Sequence, residues 1–211
     1  VEETFTSPVA QQTSLEPHVA IARWEEGHLT VWTAAQAPYI VRRVLADIFR
    51  IPPEAVRVIV PPLGGGYGGK GHVRSEPMAA ALAWKAAGRP VKLVLTRSEE
   101  FVTVTKHAAT ITIKTGVQRD GTLTARQVTL YWNGGAYADA SPLLVRSAMV
   151  RAIGPYRIPA VRVDSYGIYT NLPPAAYRGA ISTLSSGPSL STAPSSALTA
   201  PPALSSARSP F

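Results

Sequence analysis

The chain contains no cysteine, which excludes disulfides, thiolate metal sites, cysteine-ligated iron–sulfur clusters and a cysteine nucleophile from its 211 residues. It also lacks any apolar run of about eighteen residues, so a membrane span is not expected. Acidic residues are few and unevenly placed. Thirteen Asp and Glu stand against twenty-one Lys and Arg, and every acidic one lies at or before Asp164. The resulting charge of +8 favours anionic partners such as phosphates or a pyrophosphate cofactor. Nucleic acid is not expected among them. The basic residues are scattered, and the aromatics do not interleave with them at the spacing of a base-stacking platform. No signal peptide is visible and a cytoplasmic setting is expected. Val1 in place of a starting Met leaves an upstream segment, and with it a periplasmic address, open.

What is present divides in two. Residues 1–180, with 45% hydrophobic content over the whole chain, have the means to bury a core. The last thirty-one residues, from Ile181, hold ten Ser, five Pro, five Ala and three Thr, with Arg208 the only charge. Such a segment has no periodicity and is expected to be disordered.

Within 1–180, short strands alternate with helices, which points to an α/β (α+β) fold of mixed sheets with flanking helices. Leu29–Thr33 alternates as a half-buried strand. Pro38 then opens a helix carrying Val41, Val44, Leu45 and Ile48, closed by Pro52 and Pro53. A strand at Val56–Val60 feeds a glycine-rich loop. Ser75-Glu76-Pro77 opens an alanine-rich helix, Met78–Ala87, that ends at Gly88. A strand at Val91–Leu95 and a helical turn at Arg97–Phe101 follow. Ala109–Lys114 and Leu123–Leu130 read as a hairpin around Asp120-Gly121. Leu143–Ile153 reads as a helix and Val161–Tyr169 as a strand, with no internal repeat.

The loop Gly64-Gly65-Gly66-Tyr67-Gly68-Gly69-Lys70 carries the most information. Glycines admit positive φ and let backbone N–H groups approach an oxyanion with no Cβ in the way, and Lys70 is expected to point at whatever binds. Three readings of the residues stand. The string satisfies G-x-x-x-x-G-K, yet Gly71 occupies the place where a phosphate-cradling loop needs Ser or Thr for Mg²⁺. A G-x-G-x-x-G pattern passes through Gly64, Gly66 and Gly69, without the acidic residue at the end of a following strand. A plain tight turn needs fewer glycines than the five found in six positions. His72 and Glu76, four apart, could share a helix face, but one such pair does not make a metal site.

The same loop, taken with several other strings, resembles the molybdopterin-binding large subunit of the molybdenum hydroxylases, the family of xanthine dehydrogenase, aldehyde oxidase and carbon monoxide dehydrogenase. Those strings include Leu15-Glu16-Pro17, Thr33-Ala34-Ala35-Gln36, Thr96-Arg97-Ser98-Glu99-Glu100-Phe101, His107, Gly134-Gly135-Ala136-Tyr137-Ala138-Asp139 and Ala176-Tyr177-Arg178-Gly179. The resemblance runs in order through residues 1–180 and implies the first, partial molybdopterin-binding region of the aldehyde oxidase and xanthine dehydrogenase type.

The implied cofactor is molybdenum held by a pyranopterin, often extended by a cytosine nucleotide, so no protein side chain need ligate the metal. Gln36 matches the glutamine that hydrogen-bonds an oxo ligand. Tyr67 and Gly68, with Gly65, Gly66 and Gly69 around them, match the positions whose backbone amides approach the metal's oxygen ligands. Arg178 matches an arginine-containing loop on the far side of the cofactor. Gly71 stands where purine-oxidising members carry a glutamate, which argues against a purine substrate, and Arg146 lies near the place of a substrate-orienting arginine. Partners implied are an iron–sulfur subunit, an FAD-binding subunit and a small-molecule substrate. The family continues into a second region that supplies the general base. Here the resemblance stops at Ala180, so no catalytic residue is assigned and the chain alone is expected to be inactive. Residues 181–211 are then expected to be an out-of-frame or otherwise non-homologous tail. The alternative from the residues alone is a non-catalytic phosphate- or nucleotide-binding α/β module built on Gly64–Lys70.

Overall fold

The computed structural model describes residues 1–176. Two four-stranded mixed sheets organise them, each covered on one face by helix. The first sheet runs β4-β3-β2-β5, from β2 (Val19–Glu25), β3 (His28–Thr33), β4 (Val56–Ile59) and β5 (Val91–Val94). Alternation sends Ala20, Ala22 and Trp24 of β2 and Leu29 and Val31 of β3 to one buried face. Against that face pack α1 (Pro38–Phe49), through Val41, Leu45 and Ala46, and α2 (Glu76–Lys85), through Ala79, Ala80 and Ala83. The alanines let α2 approach the sheet closely. Trp24 fills the space between, donating its indole N–H to Ala80 O at 2.9 Å and meeting Phe49 and Trp84 edge-on. Both helices carry proline in the first turn, as the sequence leads one to expect. Chain direction reverses after α1 at Arg50, which adopts the left-handed conformation at φ 53°.

The second sheet runs β1-β6-β7-β8, from β1 (Glu2–Ser7), β6 (Ala109–Val117), β7 (Leu123–Gly135) and β8 (Ala160–Tyr169). Its core is Ile111, Val128, Leu130 and Trp132, covered by Ala148 of α4 (Ser141–Arg151). The β6–β7 turn forms at Asp120-Gly121 as expected, with Gly121 at φ 90° and Asp120 Oδ1 accepting from Thr122 N at 2.9 Å. Between the sheets, α3 (Arg97–Thr103) begins with a capping box in which Thr96 and Glu99 satisfy each other's backbone N–H.

Two parallel strand pairs bring the glycine loop and its neighbours into place. β3 and β4 are parallel and joined by α1, so Gln36 and the glycine loop leave the same end of the first sheet. β7 and β8 are parallel and joined by α4. Ligands of open α/β sheets sit outside the carboxyl ends of such strands. Gly135 closes β7 at φ 78°, and a Cβ there would stand 2.3 Å from Pro173 O, so only glycine fits. Among the described residues no helix is long and apolar enough to cross a membrane. The expected tail, and Arg178 with it, lie outside the described residues.

Candidate cofactor-binding site

Gln36 meets the glycine loop directly. Its Oε1 accepts from Gly68 N at 3.0 Å and Lys70 N at 3.3 Å, while its own backbone N–H donates to Lys70 O at 2.8 Å. Two N–H donors on one oxygen fix the amide's orientation and leave Nε2, the donor end, facing outward on an exposed residue. Within the loop Gly69 N donates to Gly66 O at 2.8 Å. The backbone N–H groups of Gly65, Gly66 and Tyr67 find no acceptor among the described residues. Three of the four residues 65–68 have positive φ: Gly65, Tyr67 and Gly68, at 93°, 50° and 88°. A left-handed Tyr costs about 1 kcal/mol or more, a strain typical of ligand-facing turns.

Lys70 corrects one expectation. It does not point at a ligand but lies 1% exposed, with Nζ 2.8 Å from Glu16 Oε2. The same Oε2 accepts from Gly64 N at 3.0 Å, and Glu16 N donates to Gly64 O at 3.1 Å. Glu16 therefore clasps both ends of the loop. Partial burial pushes its carboxyl up, but the Lys70 ammonium and the Gly64 amide outweigh that and hold it below the usual value. Glu16 belongs to one of the matching strings, yet nothing in the sequence marks it for this role. Its partners are 48 and 54 residues away, and no local pattern signals them.

Behind the loop the second sheet delivers Asp139. Its carboxylate binds Arg74 Nη2 and lies 3.8 Å from His72 Nδ1. The segment leading to it is held by Ser141, whose Oγ donates to Gly134 O at 3.3 Å and lies 3.0 Å from His107 Nε2. Burial, with Lys106 beside it, pushes His107 down to about 4, so the ring is neutral and donates to Ser141. Glu76 is taken by Thr33 Oγ1 at 2.7 Å and Arg74 N at 2.7 Å, and His72 precedes α2. The two do not share a helix face. Gly71 follows the loop with no carboxylate to offer, and Arg146 stands exposed on α4 with no bond tying it to the loop.

The donor set suits an oxygen-rich, anionic cofactor with polar ring edges. Three amides lack an acceptor among the described residues, that of Gly66 on a buried residue, and the Gln36 Nε2 is unbonded on an exposed one. A Cβ on Gly66 would fall 2.5 Å from Gln36 Cδ, so the cradle exists only because that residue is glycine. Beneath it the side-chain amide of Gln12, stacked on Gly69, is buried with neither nitrogen nor oxygen paired.

Comparison with known proteins agrees with this chemistry. A family described as "Molybdopterin cofactor-binding domain" matches residues 1–185. The nicotinate dehydrogenase large molybdopterin subunit of Eubacterium barkeri is 36% identical over 182 residues, 85% of this chain and 43% of that protein. The xanthine dehydrogenase molybdenum-binding subunit of Escherichia coli O157:H7 is 39% identical over 85% of this chain and 24% of that protein. Among solved structures, quinoline 2-oxidoreductase from Pseudomonas putida 86 superposes with a TM-score of 0.78 at 30% identity, over 85% of this chain and 24% of that one. CO dehydrogenase from Oligotropha carboxidovorans gives 0.75 at 29% identity, over 86% and 23%. The chain thus spans less than half the length of each of these relatives.

Proposed function

The chain belongs to the molybdopterin cofactor-binding domain family, and on that premise we propose that its glycine loop and Gln36 hold molybdopterin with its molybdenum, within a hydroxylase-type oxidoreductase. The observation that carries this reading is the run of unpartnered amides at Gly65, Gly66 and Tyr67 beside the outward Nε2 of Gln36. The chemistry molybdopterin supplies when bound is oxidation of a small molecule, with oxygen taken from water. For their part the loop amides donate to the cofactor's oxygen atoms from fixed positions, so no reorganisation is needed as charge develops. Gln36 adds a donor without adding charge. Gly68 and Gly69 serve by holding Gln36 and the turn, since their N–H groups are engaged inside the site.

Arg178 joins the cofactor's far side by resemblance. On the substrate side, Gly71 leaves room where a carboxylate would grip a purine, so an aldehyde, another heterocycle or carbon monoxide is the proposed substrate class. Arg146 orients it if it is anionic. Relatives named as subunits support work beside further subunits, and the resemblance makes these an iron–sulfur and an FAD-binding subunit. A cytoplasmic setting and the cytosine-extended cofactor complete the proposal. We also propose that residues 1–176 contribute cofactor binding rather than the general base of the reaction.

The competing reading, a nucleotide-binding module, loses its main cation, since Lys70 is buried against Glu16. Purification from a molybdopterin-producing host, followed by metal and fluorescence analysis, decides between them. Molybdenum and oxidised pterin near one per chain are expected. A stoichiometric nucleoside triphosphate with no pterin would overturn the proposal.

A further inference from the structure

The underside of the glycine loop rests on a buried pair that the cofactor reading leaves unused. His18, 5% exposed, places Nδ1 2.9 Å from both carboxyl oxygens of Glu100 and Nε2 3.1 Å from Gly69 O. Glu100 is buried too and also accepts the His18 backbone N–H. A carbonyl oxygen can only accept, so Nε2 carries a proton and donates to Gly69. On the other side, Nδ1 meets both carboxyl oxygens of Glu100. Ring orientation is thus fixed from α3 and used at the loop.

The support behind Glu100 is itself pinned. α3 starts at the Thr96–Glu99 capping box, Gln11 Nε2 donates to Glu100 O at 3.3 Å, and Arg97 Nη2 donates to Leu15 O at 3.0 Å. His18 O accepts from Leu95 N at 3.0 Å. At the receiving end, Gly69 is held on both sides: its N–H goes to Gly66 O and its carbonyl takes His18. That closes the turn spanning Gly66, Tyr67 and Gly68, which carries the unpartnered amides of Gly66 and Tyr67 and follows directly on that of Gly65. Glu16 fixes the loop's two ends, Gln36 holds its middle through the N–H groups of Gly68 and Lys70, and His18 holds it through the Gly69 carbonyl.

We infer that His18, oriented by Glu100, is a positioning residue for the glycine loop, and that its hydrogen bond to Gly69 O sets the Gly65–Tyr67 amides toward a bound molybdopterin. The inference rests on the proposed cofactor reading and deepens it.

The test uses the full 211-residue chain, measuring amide hydrogen exchange at Gly68, Gly69 and Lys70, with Val128 and Leu130 of the second core as an internal reference. Variants are His18→Leu, His18→Gln and Glu100→Gln, each also assayed for release of added molybdenum-loaded molybdopterin. His18→Leu is expected to speed loop exchange and cofactor release by about tenfold without moving Val128 or Leu130. His18→Gln keeps an Nε2 donor for Gly69 O and is expected to restore most of the protection. Glu100→Gln, which leaves that bond in place but loosens the ring, is expected to fall between, and it answers the question should His18→Leu not fold. Loop exchange unchanged in Glu100→Gln and His18→Leu, or His18→Gln behaving like His18→Leu, overturns the inference. A wild-type chain that binds no added molybdopterin overturns the cofactor reading instead, while the exchange measurements still decide the role of His18.

Discussion

Replacing Gly66 with alanine probes the cradle at the point where backbone and Gln36 interlock. Gly66 does not occupy the left-handed region, so alanine meets no backbone penalty there. Its new Cβ would stand 2.5 Å from Gln36 Cδ, 2.7 Å from Oε1 and 2.8 Å from Cγ, well inside van der Waals contact. Gln36 must leave, and Gly68 N and Lys70 N lose their acceptor. Two net hydrogen bonds at about 1 kcal/mol each, with added cost for an N–H left half-buried, give about 2–4 kcal/mol of local destabilisation. Gln36→Ala alone removes the same two bonds without a clash and should cost about as much. The pair should therefore be strongly non-additive: in the double variant the methyl enters the space the glutamine vacated, and the coupling should be about 2 kcal/mol. Hydrogen exchange at Gly68 and Lys70 gives the local opening free energy for each corner of the cycle. Additive effects, or a Gly66→Ala loop as protected as wild type, would refute the interlock.

Three further outcomes are expected. Glu16→Gln leaves the buried Lys70 charge without its carboxylate and should loosen the loop by about 1–3 kcal/mol, read from the same exchange profile. The Glu16 carboxyl is lowered in the folded chain, so its contribution is present above the ordinary carboxylate range and lost as pH falls through the folded value. An acid titration of loop protection should show that loss in wild type and not in Glu16→Gln. His107 is neutral when folded, with a value of about 4 against an ordinary 6.5. Its contribution is complete above the ordinary value and is lost as pH falls toward the folded one, on the order of 3 kcal/mol in all. A His107→Gln chain should show a flatter denaturation midpoint across that window.

Much of this fold is legible in the sequence, because proline, glycine and periodicity mark its elements. The expected helices at Pro38, Glu76, Arg97 and Leu143 and the strands at Leu29, Val56, Val91, Ala109, Leu123 and Val161 all form, within a few residues of the expected limits. β1 and β2 are not legible. Glu2–Ser7 is an edge strand with Phe5 its single large apolar residue, while β2 buries Ala20 and Ala22, small residues with little strand preference. The meeting of Gln36 with the loop follows from parallel pairing of β3 and β4, which joins two strings that the sequence could only align by resemblance. Lys70, Glu16 and His18 were opaque for another reason. A lysine after glycines looks like an anion ligand, and only long-range packing shows it buried as a strut. The structure also turns the Gly68 amide onto Gln36 Oε1, leaving the open donors earlier in the loop.

The most direct measurement is a titration of the isotopically labelled chain with molybdenum-loaded molybdopterin, following backbone amide resonances. The amides of Gly65, Gly66 and Tyr67 should shift and gain exchange protection together with the Gln36 side-chain Nε2 protons. Binding that moves resonances elsewhere while those four groups stay unchanged would contradict the account.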